Sequence, residues 1–162
     1  MARILVCGDS YSDNRTVING YKPNNTWIDQ LSQLYDVKCV GMAGASNEDV
    51  YNQLISTSAW DRALVSLTPP SRGDFSGKFA LKIIKTKRVY CWSPFRVYRN
   101  VKGVDWQPFV LYNEWHIKQL HENEYEQGNY TFTGCHFTSE GNKAVFEHMN
   151  YIIQNKIRSI DE

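Results

Sequence analysis

The hydrophobic positions of the chain alternate between two periods. Residues 3–8, "RILVCG", form an almost unbroken apolar run, the pattern of a strand buried on both faces. Behind an Asn/Thr cap, "NNTWIDQLSQLY" (24–35) carries Trp27, Ile28, Leu31, Leu34 and Tyr35 at helical spacing. "VKCVG" (37–41) predicts a second strand, "SNEDVYNQLIST" (46–57) a capped helix with Val50, Tyr51, Leu54 and Ile55 inward, and "RALVSL" (62–67) a third strand. A helix near 75–85 precedes a fourth strand, "RVYCW" (88–92). "TSEGNKAVFEHMNYIIQNKI" (138–157) closes the chain as a helix capped by Thr138, with Val145, Met149, Ile152, Ile153 and Ile157 in one apolar stripe. Strands alternating with helices predict an α/β fold: a mostly parallel sheet covered on both faces, in three α/β/α layers.

Between 93 and 135 the alternation is lost. This stretch holds four of the ten tyrosines and two of the five tryptophans, and only "PFVLYNEWHIKQLHE" (108–122) reads as helical. It is expected to be an aromatic-rich insertion lying as a lid over the sheet edge, within one domain spanning residues 1–162. There are no internal repeats, low-complexity tracts or linkers.

Charge narrows the function classes. Eighteen Lys and Arg against 17 Asp and Glu give a net charge of +1, so no global field favours nucleic acid or an anionic membrane. The basic stretch "LKIIKTKR" (81–88) reads as a helix end with solvated lysines. The first strand begins at Arg3, which leaves no room for a signal peptide, and no apolar run is long enough for a bilayer, so a cytoplasmic protein is expected. Cys7, Cys39, Cys91 and Cys135 lack C-x-x-C spacing and are expected as free thiols. His116, His121 and His148 have no partner at metal-ligand spacing, so no metal is expected.

In open parallel sheets, functional groups gather at the carboxyl ends of the strands. After the first strand comes Gly8-Asp9-Ser10, and after the second "GMAGASN" (41–47). "TPPSR" (68–72) follows the third, and Gly134-Cys135-His136 stands just before the last helix. A serine, a glycine-rich turn and a histidine thus converge on one edge. Here the chain resembles the SGNH (GDSL-type) hydrolases, and the resemblance spans nearly its whole length. It implies a flavodoxin-like SGNH fold, with Ser10 as nucleophile, His136 as general base in "HFTSEGN", and the N–H groups of Ser10 and Gly44 as the oxyanion hole. A serine hydroxyl is a weak nucleophile until an imidazole takes its proton, and the tetrahedral oxyanion then needs preorganised donors.

Two positions depart from the family pattern. Thr68 stands where the family's oxyanion-hole asparagine is expected, so that donor becomes a hydroxyl. Thr133 stands where its acid is expected, leaving the threonine hydroxyl, a backbone carbonyl or a carboxylate from elsewhere in the chain as the support for His136. The Thr-x-Pro-x-Arg stretch 68–72 is similar to that of small phage-type members.

Three further residues at this edge are candidates for substrate binding. Asp9 equally suits a turn held by backbone hydrogen bonds, and Gly41 a simple turn former. Asn47 suits either a helix cap or a donor to a substrate oxygen, and Arg72 either a solvated loop or the anchor for an anionic group. The expected function is hydrolysis of an ester-like, acyl or acetyl bond of a small or carbohydrate-linked substrate, without a cofactor. The alternative is a catalytically weak module that sequesters a small anionic ligand. Expected partners are limited to that small-molecule or acylated substrate, with homo-oligomerisation left open and neither nucleic acid nor membrane involved.

Overall fold

The structure, a computed structural model, describes residues 1–15, 25–106, 137 and 139–156. Five strands form one sheet: β1 Arg3–Cys7, β2 Asp36–Cys39, β3 Arg62–Ser66, β4 Val89–Ser93 and β5 Asp105–Trp106. Their order is β2-β1-β3-β4-β5 and every pair is parallel. The register sets Ile4 beside both Val37 and Arg62, and Leu64 beside Tyr90. In this order the chain leaves β1 towards one edge and returns past it to β3, which opens a crevice between the carboxyl ends of β1 and β3.

Four helices accompany the sheet: α1 Trp27–Leu31, α2 Asn47–Ser56, α3 Lys78–Ile84 and α4 Ser139–Gln154. Helix α1 packs with α4, and α2 with α3. The starts of α1 and α2 follow from their sequences. Thr26 and Ser46 accept from the backbone N–H groups of Asp29 and Asp49, and each aspartate accepts in return from the cap's own N–H. Strand β4 is buried along its whole length, as expected of a central strand in a covered sheet. Its Tyr90 and Trp92 are among the largest fully buried side chains, together with Trp27, Leu64 and Met149 from other elements.

Element boundaries differ from the sequence reading at several points. Helix α1 ends at Leu31 and gives way to turns, so Leu34 is 48% exposed rather than buried. Ile55, expected inward on α2, is 58% exposed, because Val50 and Leu54 take the core-facing positions. Asp105 and Trp106 add a fifth parallel strand within the stretch expected to be an insertion. Two residues are too short for any periodic signal. The helix expected over 108–122, the cap Thr138, and Ile157 lie outside the described residues. Cys7, Cys39 and Cys91 are free thiols, and burial pushes the titration of all three upward, which makes them poor nucleophiles. Cys135 is not among the described residues. No helix among the described residues is long and apolar enough to cross a membrane.

Candidate functional site

Strand β1 hands over at Cys7 to Gly8, whose φ of 151° few side chains tolerate. The backbone then enters a 3-10 turn, Ser10–Ser12, with Asp9 as its cap. The turn sits so close to the sheet that a Cβ on Gly8 would lie 1.9 Å from Ser66 Oγ, and one on Gly41 1.9 Å from the Ser12 carbonyl oxygen. Gly41 is thus required by close approach rather than by a turn angle. Ser12 is fully buried with its Oγ 2.7 Å from Ser66 Oγ. With Ser12 fixed inward, Ser10 is only partly buried at the crevice, and no side chain among the described residues bonds its hydroxyl.

Asp9 lies directly beneath this turn. It is 1% exposed, and its carboxylate accepts from the Tyr11 N–H at 3.1 Å and from the Arg72 guanidinium at 2.9 Å. Burial raises its pKa above the ordinary carboxylate value, while the Arg72 charge and the Tyr11 N–H act in the opposite direction. Arg72 also donates to the Ala45 carbonyl at 3.3 Å and lies 5.8 Å from the Phe95 ring centroid. The guanidinium is thereby engaged by protein groups on three sides, a role the sequence reading did not assign to it.

Asn47 is buried as well, and the cap of α2 is Ser46, one residue earlier. Its Oδ1 accepts from the Thr68 N–H at 2.9 Å and the Thr68 hydroxyl at 3.3 Å. Its Nδ2 lies within 3.2 Å of both the Thr68 carbonyl and Asp74, and 2.9 Å from the Tyr98 hydroxyl. Asn47 therefore fastens the end of β3 to the start of α2, and both Thr68 donors point at it rather than into open space. The Tyr98 hydroxyl in turn donates to the Thr68 carbonyl at 2.6 Å. Asp74 accepts from the Phe79 and Ala80 N–H groups at 3.1 and 3.0 Å and so caps α3. Sequence reasoning missed Asp74 and Tyr98. Asp74, three residues before Gly77 at the head of α3, carries a weak capping signal, whereas nothing in the sequence marks Tyr98.

Gly44 stands in the exposed β2–α2 loop with φ 78° and open space where a side chain would be. Thr133 and His136 lie outside the described residues. Phe137, the residue after His136 in the chain, is described: it is buried, and its ring centroid is 4.9 Å from that of Tyr11, the residue after Ser10. Both members of that contact are tied to the core. The Trp27 indole N–H donates to the Tyr11 carbonyl at 2.8 Å, and Asn142 donates to the Phe137 carbonyl at 3.3 Å while accepting from the Trp27 N–H at 3.0 Å.

The described side chains thus offer a partly exposed serine hydroxyl over a buried, ion-paired aspartate at the carboxyl edge of a parallel sheet. Comparison with known protein families and with characterised proteins finds no match for this chain.

Proposed function

We propose that the chain is an SGNH-type serine hydrolase with three α/β/α layers, cleaving an ester-like acyl or acetyl bond. The single observation that carries the reading is the packing of Phe137 on Tyr11. Tyr11 and Phe137 are the chain neighbours of Ser10 and His136, and their ring contact supports a reading in which those two groups act together. Ser10 is the nucleophile, His136 takes its proton, and the Ser10 and Gly44 N–H groups receive the oxyanion. Water then releases the acyl group, and no cofactor is needed. The Asp9–Arg72 pair holds the turn on which Ser10 stands.

One observation favours a second reading. Both Thr68 donors are consumed by Asn47, which removes a side-chain donor from the oxyanion hole and suits a module that binds without hydrolysing. A fluorophosphonate probe and short 4-nitrophenyl esters separate the two. Wild-type protein is expected to be labelled and to turn over, with both lost in Ser10→Ala and His136→Ala. The kcat/KM should fall as pH drops and the base protonates. Unlabelled wild type, or turnover that survives Ser10→Ala, would rule out the hydrolase.

A further inference from the structure

After β4 the chain makes another 3-10 turn, Arg96–Tyr98, at the same carboxyl edge of the sheet as Ser10. Three residues per turn stack side chains i and i+3 on one side. Phe95 and Tyr98 take the inner side, each 3% exposed, and Arg96 and Arg99 take the outer side, both exposed. The spacing persists through Arg99, which keeps helical angles (φ −52°, ψ −34°) and donates its N–H to the Arg96 carbonyl at 3.0 Å.

The inner pair makes the turn rigid. Tyr98 is bonded to Thr68 and Asn47 as described above. Phe95 packs edge-on against Tyr11 at 5.6 Å, and its N–H donates to Ser93 Oγ at 3.1 Å. The outer side borders an open surface hollow of about 470 Å³ lined by Arg96, Val97, Arg99, Asn100 and Val101. Among the described residues no carboxylate lies within 4.0 Å of either guanidinium, in contrast to Arg3, Arg15 and Arg72, which all have one. Two like charges on one side of a turn repel each other, and the arrangement becomes favourable when an anion sits between them.

We propose that this hollow binds the phosphoryl group of a small phosphorylated ligand. Two guanidinium forks present more donors than one carboxylate can accept, whereas a phosphate monoester offers three acceptor oxygens and nearly two charges. The Asn100 amide adds a neutral donor at the wall. The site stands on its own residues and does not depend on Ser10 chemistry.

Titration calorimetry of the full chain with inorganic pyrophosphate tests it. Saturable one-to-one binding is expected, unchanged in Ser10→Ala and weakened about tenfold to a hundredfold in Arg96→Ala/Arg99→Ala. Single Arg96→Gln and Arg99→Gln variants, each checked for an unchanged Tm, are expected to lose about tenfold apiece, so the test survives if the double variant fails to fold. Absence of saturable heat into the millimolar range, equal affinity in the variants, or acetate binding as tightly as pyrophosphate would overturn the proposal. A short single-stranded oligonucleotide binding more tightly than pyrophosphate would overturn the small-ligand assignment.

Discussion

Asp9 is the residue whose state most affects its surroundings, because a carboxylate that is 1% exposed depends on Arg72 for its charge. Removing one partner of such a pair leaves the other uncompensated, so Arg72→Ala is expected to cost about 3 kcal/mol at pH 7. The sign of the pH dependence follows from the raised pKa of Asp9. Above the unfolded carboxylate value of ~3.9 the folded state holds its proton more tightly, so stability falls as pH rises from there to the folded pKa. Deleting Arg72 extends that window upward. Urea denaturation should therefore find Arg72→Ala less destabilised at pH 5 than at pH 7, and Asp9→Asn in the same background should recover part of the loss. A deficit independent of pH would show that Arg72 acts by packing alone. Two glycines of the β2–α2 loop make a second contrast. Gly41→Ala drives a Cβ into a backbone oxygen and should cost about 3 kcal/mol, whereas Gly44→Ala meets open space and carries only the left-handed strain of about 1 kcal/mol. Equal losses in denaturation would contradict the tight seating of the serine turn.

Among the described elements, the ends of β3, α2 and α3 are joined to one another by side chains. Asp74 caps α3 from four residues before it begins, and through Asn47 it also reaches the start of α2 and the end of β3. Asp74→Ala is thus expected to cost about 2 kcal/mol, more than the ~1 kcal/mol expected for Ser46→Ala, whose hydroxyl serves α2 alone. Thermal melts of the two variants check the ranking, and a reversed order would mean that the Asp74 network contributes only local capping. At the far edge, Tyr90 of β4 hydrogen-bonds Asp105 of β5 and lies 2.9 Å from His148 Nε2 of α4. That cluster fastens the two-residue strand to the last helix, which explains how so short an element holds its register.

At the scale of the whole molecule, the core is continuous from α1 and α4, through the sheet, to α2 and α3. One core shared by all elements predicts one cooperative transition. Far-UV circular dichroism and tryptophan fluorescence should give coincident urea midpoints. Met149→Ala on α4 and Leu64→Ala on β3, both fully buried, should each lower the common midpoint by an amount corresponding to 2–5 kcal/mol, within the range roughly known for such truncations. Two separated transitions, or a Met149→Ala effect confined to one probe, would mean that α4 is a subdomain of its own.

Hydrophobic period alone placed β1 to β4, α2 and α3 within a few residues and implied their parallel arrangement, because a strand buried on both faces and a one-sided helix leave different spacings in any sequence. It also brought Gly8-Asp9-Ser10 and the loops after β2 and β3 to one edge, since parallel strands share their carboxyl ends. What it left open depended on partners distant in sequence. The outward turn of Ile55, the two-residue strand β5, the engagement of Arg72 with Asp9 across 63 residues, and the consumption of Thr68 by Asn47 have no local signature. A side chain's pattern records whether it is apolar, and only the packed structure decides which polar group it meets. For that reason the serine's place was readable from the chain, while the roles of the charged and amide groups around it were set by tertiary contacts.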